Sequence, residues 1–354
     1  MVTLKRIVFL LGLAIGLPLG FILFSLVPSG NALTGFVAAG EAPQPTVAEG
    51  FQLMQSAALK GPRALAMGPS GTIYVAAQDG VFALVDRNGD RRFDKQYLVS
   101  TLDATGLAFL GRDLAIAAGN RIVLLPAIEY SLLDPPEPVV LVDNLPPLGT
   151  LTSGPDGNLY VAVPAPCDAC KPDNRLQATI LRVHPDGSYE IFASGVKHAR
   201  GLFWDEGVLW FTDEGNALLE IPDELNRAER KGQHFGFPYC VGKQPDPRLN
   251  NGLGCQTFEP PIQQLEVFAR AAGLTKATLP GIEDWMLIAE AGQWNQGGYR
   301  LVAVHDGQLR LLVDGWLVDG KARGSPVALL PLDDGSVLIA DELGNALFRL
   351  YEGL

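Results

Sequence analysis

Histidine is the side chain best suited to moving a proton near neutral pH, and this chain carries four of them. His198 lies in "GVKHARGLFW", between Lys197 and Arg200. Cations that close disfavour the imidazolium, so the ring stays neutral and is able to take a proton as a general base. The plainer reading is a hydrogen-bonded surface histidine. His184 in "VHPDG" and His305 in "VHDG" fall in turn sequences that face solvent. His234 belongs to "PDELNRAERKGQHFGFPYC" (222–240), a charged and aromatic stretch among apolar triplets and glycine turns. In "DRNGDRRFDK" (86–95), Asp86, Asn88, Asp90 and Asp94 sit at calcium-loop offsets 1, 3, 5 and 9. Arg91 and Tyr97, however, occupy the sixth and twelfth positions, which such a loop reserves for glycine and glutamate, so a hairpin turn is the reading adopted.

Residues 7–27, "IVFLLGLAIGLPLGFILFSLV", carry no charge. As a helix this run would extend roughly 31 Å, about the thickness of a hydrocarbon core. Lys5 and Arg6 precede it and no charge follows until Glu41, which places residues 1–6 in the cytoplasm and the bulk of the chain on the extracytoplasmic side, periplasmic or lumenal. A cleaved signal ending near Ala32 is the alternative; the length favours an uncleaved anchor. Residues 28–49, rich in Gly, Ala and Pro, read as a linker.

Export gives the four cysteines a meaning. In an oxidising compartment an even count implies disulfides, and near-neighbour pairing, Cys167–Cys170 and Cys240–Cys255, is the simplest of three connectivities. No thioredoxin-like βαβ pattern surrounds "CDAC", and the histidines are not spaced to complete a zinc site. The net charge of −12 excludes a nucleic-acid partner, because phosphate binding needs a basic face.

The elements that must position these groups come from a repeat. "TIYVA" (72–76), "DLAIA" (113–117), "NLYVA" (158–162), "VLWFT" (208–212), "WMLIA" (285–289) and "SVLIA" (336–340) each read as a strand. Most follow a turn such as "GPSG" or "LDDG" and a strand like "GLAF" or "GLFW". A further hairpin often comes after, which makes the four-stranded unit of a propeller blade. Residues 66–353 shared among six units give about 48 residues each, within the range of blade repeats. "GFQLMQSAAL" (50–59) precedes the first unit and can supply the outer strand of the last, closing the ring and protecting its edges. The fold class predicted is therefore all-β: a six-bladed propeller over 50–354, with an insertion at 223–278 that lacks the strand signature.

"ASGVKHARGLFWDEGVLWFTDEGNALLEIPDELNRAERKGQHFGFPYCVG" resembles the central signature of the glucose/sorbosone dehydrogenase family. "LWFTDEG", "PDELN" and "FGFPYC" match in order, and the likeness continues through "GPRALAMGPSGTIYVA", "WNQGGYRLVAV" and "GSPVALLPLDDGSVLIADE". It spans roughly residues 50–353. The resemblance implies a six-bladed propeller that binds pyrroloquinoline quinone (PQQ) with calcium and oxidises a sugar hydroxyl. In that family a histidine takes the hydroxyl proton while hydride passes to the quinone, and arginines hold the quinone's carboxylates. It places the calcium ligands at the backbone carbonyls of Gly215 and Asn216. Thr105 stands at the family's histidine, Lys197 and His198 at an Arg-Asn pair, Ala291 and Gln296 at the His and Arg of "HGSWNR", and Ser325 at a further arginine.

On this alignment His198 is the replacement base and Lys197 a carboxylate partner, with Gln296 and Ser325 at the remaining cofactor positions. The Cys240–Cys255 bridge clips the 222–240 stretch, while Asp223 and Glu224 brace it. Two further readings stay open: a non-catalytic module binding a glycan or an envelope protein through the same face, and a calcium-dependent lactone hydrolase.

Overall fold

The computed structural model describes residues 45–249, 252 and 254–353. The end predicted to be cytoplasmic, the predicted anchor and most of the predicted linker lie outside the described residues. Among those described, no helix is long and apolar enough to cross a membrane.

Six antiparallel sheets make the blades. Blade 1 consists of Ala64–Met67, Ile73–Ala77, Gly80–Val85 and Lys95–Ser100. Blade 2 uses Gly106–Leu110, Asp113–Ala118, Arg121–Leu125 and Val139–Val142. Blade 3 uses Leu151–Ser153, Leu159–Val163, Thr179–Val183 and Tyr189–Ser194. Blade 4 is Ala199–Asp205, Val208–Asp213, Glu224–Ala228 and Gln263–Gln264. Blade 5 is Ala271–Lys276, Met286–Glu290, Arg300–His305 and Gln308–Asp314. Blade 6 is Pro326–Pro331, Val337–Asp341 and Ala346–Glu352, completed by Phe51–Ala58 from the other end of the chain. The predicted ring closure is thus present, and the first-named strands of successive blades neighbour one another around the hub.

All six apolar motifs are the second strands of their blades. Their burial explains why they run apolar instead of alternating: Ile73–Ala77, Leu159–Val163, Met286–Glu290 and Val337–Asp341 are buried at every position. A blade is covered on both faces by its neighbours, so neither side of a second strand meets water. One hydrophobic cluster fills each gap between consecutive blades, for example Tyr74 and Ala76 against Leu107 and Ile116 between blades 1 and 2. Burying each Leu, Ile or Val side chain there contributes about 1.5–3 kcal/mol.

Glycine at the hub answers to space. A Cβ on Gly106 would lie 2.6 Å from the Leu151 nitrogen of blade 3, and one on Gly201 would lie 2.3 Å from the Ala272 carbonyl of blade 5. Neighbouring inner strands approach too closely there for any side chain.

Two departures concern boundaries. Thr46–Val47, in the segment read as linker, pairs with Val313–Asp314 as a fifth strand of blade 5. Within the segment read as an insertion, Glu224–Ala228 and Gln263–Gln264 complete blade 4, and Gln233–His234 pairs in parallel with Ala193–Ser194 of blade 3. These strands are short and polar, so they carry no apolar signature. The 86–97 stretch is a hairpin turn: Asp86 accepts from the N–H groups of Gly89 and Arg91, and Asp94 from that of Arg87.

Candidate active site

The inner strands begin at the same end of the hub, and in blades 1 to 5 the residue just before each looks into a central cavity of ≈ 630 Å³. Arg63, Thr105, Thr150, His198 and Arg270 hold that register in blades 1 to 5, and all five line the cavity, as do Arg200 and Glu342. Deeper in, the wall is mostly apolar, with Leu107, Leu151, Leu202 and Leu274 among its residues.

Blade 4 supplies the group best placed for proton transfer. His198 is 30% exposed, and its Nδ1 lies 3.2 Å from Glu214 Oε2. Arg200 donates to the same carboxylate oxygen from Nε and a terminal nitrogen, at 3.1 and 2.9 Å. Burial alone would raise the Glu214 pKa, but the His198 hydrogen bond and the Arg200 charge hold it far below the usual carboxylate range. For His198, burial pushes the pKa down; the Glu214 hydrogen bond opposes this, and the Arg200 and Lys197 charges reinforce it. The ring is therefore neutral near pH 7. Its Nδ1–H donates to Glu214, which leaves Nε2 as the free acceptor.

Asp213, buried one residue earlier, holds this arrangement in place. It accepts from the backbone N–H groups of Lys197 (2.9 Å), His198 (2.6 Å) and Glu214 (3.0 Å). Burial nevertheless pushes its pKa up to about 7. Asp223 ties blade 4 to blade 5 by accepting from Gly215 N–H (2.8 Å) and Ala271 N–H (2.6 Å), and burial raises it to about 6. Glu224 next to it is raised to about 8 by burial and then by the Asp213 charge. The predicted bracing of the loop by Asp223 and Glu224 thus rests, for Asp223, on named backbone bonds. Both disulfides, Cys167–Cys170 and Cys240–Cys255, are formed.

The other predicted positions divide. Thr105 lines the cavity, but its hydroxyl faces the carbonyls of Leu148, Gly149 and Ala117 at 3.0, 3.2 and 3.3 Å. A hydroxyl proton committed to carbonyls makes a poor base. Ser325 is buried and gives its hydroxyl to the Ala291 carbonyl at 2.8 Å; Gln296 is exposed, and neither residue lines the cavity. Lys197 is buried behind His198, where its ammonium bonds the Gly215 carbonyl and Asp168 Oδ1 (2.9 Å). The Asn216 carbonyl accepts from the backbone N–H groups of Ile221 (2.9 Å) and Leu219 (3.1 Å). His184, His234 and His305 all lie off the cavity.

Sequence reasoning passed over the arginines. Arg63 donates from Nε to the Ala104 carbonyl (2.7 Å) and pairs with Asp103. Arg270 has no ion pair or side-chain hydrogen bond among the described residues, and its backbone sits at φ 48°. Burial, then the neighbouring Arg200, lower its pKa; the Glu214 and Glu342 charges oppose this without forming an ion pair with it. The signal was available: in the repeat, Arg63 and Arg270 stand immediately before inner strands, as His198 and Thr105 do.

A half-buried arginine without an ion pair, sharing the cavity wall with Arg63 and Arg200, fits a ligand carrying several carboxylates. PQQ is such a ligand. A calcium ion fits less well, because both carbonyls assigned to it already have donors.

No family model matches the chain. An uncharacterized protein of Borreliella burgdorferi is 30% identical over 188 residues, 46% of this chain, and the chain spans about half (48%) of that protein's length. Solved structures align over nearly the whole ring. The Trichoderma reesei enzyme of carbohydrate-active family AA12 superposes with a TM-score of 0.76 at 15% identity, over 89% of this chain and 99% of that one. The holo PQQ domain of pyranose dehydrogenase from Coprinopsis cinerea gives 0.74 at 13%, over 88% and 97%. The PQQ-bound aldose sugar dehydrogenase of Streptomyces coelicolor gives 0.65 at 18%, over 86% and 99%. The chain is a six-bladed β-propeller similar in fold to the PQQ-dependent dehydrogenases of the glucose/sorbosone type.

Proposed function

We propose that this chain oxidises a sugar hydroxyl with PQQ as the hydride acceptor, working at the mouth of the central cavity. One observation carries the reading: His198, oriented by Glu214, opens onto the same cavity as the unpartnered Arg270. Arg270, with Arg200 beside it and Arg63 on the same cavity wall, would hold the carboxylates of the cofactor. When bound, the quinone supplies a two-electron acceptor for the hydride leaving the substrate carbon.

His198 Nε2 takes the hydroxyl proton as that C–H bond breaks, and the resulting imidazolium is stabilised by Glu214 through Nδ1–H. Arg200 keeps Glu214 ionised and in place. The apolar inner strands below restrict water. Thr105 forms part of the wall but does not move protons.

The propeller is read as extracytoplasmic and tethered through residues 7–27, which agrees with both disulfides being formed. Purified protein given PQQ should reduce an artificial dye with aldoses, and calorimetry should detect quinone binding. Absence of quinone binding would end this reading. The alternative, a module that binds a glycan or envelope protein without turnover, is favoured by the committed hydroxyl of Thr105 at the family's histidine position. That version predicts sugar binding that is indifferent to PQQ and to His198. The lactone-hydrolase reading asks for several carboxylates or amides around one ion, and the described cavity wall carries a single carboxylate, Glu342.

A further inference from the structure

Lys197 is an unusual residue to bury, and its surroundings indicate what it does. Its side chain is 6% exposed, and its ammonium lies between the Gly215 carbonyl and Asp168. Gly215 is itself held tightly: a Cβ there would come within 2.3 Å of the carbonyl oxygens of both Ile221 and Pro222, so only glycine presents its carbonyl in this way. Asp168 lies between Cys167 and Cys170 and is carried on the loop their disulfide closes. The Lys197 backbone N–H is anchored to Asp213. The result is a cation pinned by a carbonyl, a carboxylate and its own backbone, one residue from the proposed base.

We propose that the Lys197 ammonium takes the place of a divalent metal at this mouth, so that the site works without calcium. A carbonyl oxygen and a carboxylate are hard-cation ligands, and here both are directed at the ammonium. The neighbouring Asn216 carbonyl, which a metal would also need, is closed by the N–H groups of Ile221 and Leu219. A lysine delivers one positive charge where calcium would deliver two. Its field still reaches His198, Glu214 and Asp213, each of which feels the Lys197 charge. The inference builds on the quinone reading in naming the site, but it concerns the protein's own charges and is measurable on the protein alone.

The experiment is calcium titration of the full-length protein by calorimetry, with melting curves in calcium and in EDTA. Wild type should give no saturable heat, and its Tm should move by less than about 1 °C between the two conditions. Lys197→Ala frees the Gly215 carbonyl and the Asp168 carboxylate, so this variant should acquire calcium binding and a Tm several degrees higher in calcium. Asp168→Asn on top of it should abolish the gain. Lys197→Met, which keeps the apolar stem, repeats the test should the alanine variant not fold. One-site calcium binding by wild type, or a folded Lys197 variant as indifferent to calcium as wild type, overturns the proposal. Quinone affinity measured with and without calcium should be equal; a calcium requirement also overturns it. If no quinone binds in either case the functional reading falls, while the calcium titrations still decide this one.

Discussion

Blades 1–3 and blades 4–6 share one repeat yet differ where they meet the cavity mouth. In the first half, the residue following the apolar motif is Ala77, Ala118 or Val163; in the second it is Asp213, Glu290 or Asp341. The inner strand pairs in regular register in blades 1, 2 and 3. In blades 4, 5 and 6 it is bulged, between Ala199 and Leu202, Ala271 and Leu274, and Pro326 and Ala328. The two differences belong together. A bulge takes backbone N–H groups out of the ladder, and buried carboxylates hold the backbone where these strands begin: Asp213 accepts from Lys197 and His198, Asp223 from Ala271, and Asp341 from Ser325 (2.6 Å). Glu290 instead takes the Arg300 guanidinium at 2.6 Å. One half of the ring keeps its inner strands in regular register with an apolar residue after each motif; the other aims polar groups by holding irregular backbone in place.

Four measurements would break or sharpen this contrast. His198→Ala should lower dye-linked turnover by about 10²–10⁴-fold with quinone binding retained, whereas Thr105→Val, in the apolar half, should change it less than about tenfold. A comparable loss in both would erase the distinction. Arg270→Ala should weaken quinone binding by roughly 10–100-fold, as expected for a charged hydrogen bond, and an unchanged calorimetric affinity would remove Arg270 from the cradle. In urea unfolding, Asp213→Ala should cost about 3 kcal/mol, because three N–H groups lose their acceptor. Ala118→Ser, at the matching position of blade 2, should stay within about 1 kcal/mol.

The smallest effect concerns pH. Asp223, Asp213 and Glu224 have folded pKa values raised to about 6, 7 and 8, so the folded state binds protons that the unfolded chain has already released. The stability this confers is complete below the ordinary carboxylate range and is lost as pH rises through those values. Glu224→Gln mimics the protonated form and should flatten the decline between the ordinary glutamate range and about pH 8. A Tm profile parallel to wild type would mean that Glu224 is already ionised.

The ring was legible because sandwiching each second strand between two blades forces an apolar run, and six such runs count the blades. The closing strand was legible for a related reason, an orphan apolar stretch ahead of the first unit. Blade 4 was only half legible: "ELNRA" and "QQ" pair through backbone and bring no apolar pattern. At the site, the flanking cations singled out His198, while the Glu214 that orients it sits sixteen residues on, in a different strand–loop junction. Arg63 and Arg270 required knowing that the residue ahead of the inner strand in blades 1 to 5 faces one shared space. Gln296 and Ser325, assigned by resemblance, went the other way, one into solvent and one onto a backbone carbonyl. Alignment transfers position along a chain, but what a side chain reaches depends on the local path of its loop.

Closure of the ring by Phe51–Ala58 against Ala346–Glu352 also sets an order of events. Gln52 and Tyr351, which touch through their side chains, are 299 residues apart in sequence. During synthesis Phe51–Ala58 must wait, edge bare, until Ala346–Glu352 has been made. A nonsense mutation or a clip that removes Ala346–Glu352 would leave two raw edges on one molecule, and aggregation would follow before any question of activity arose.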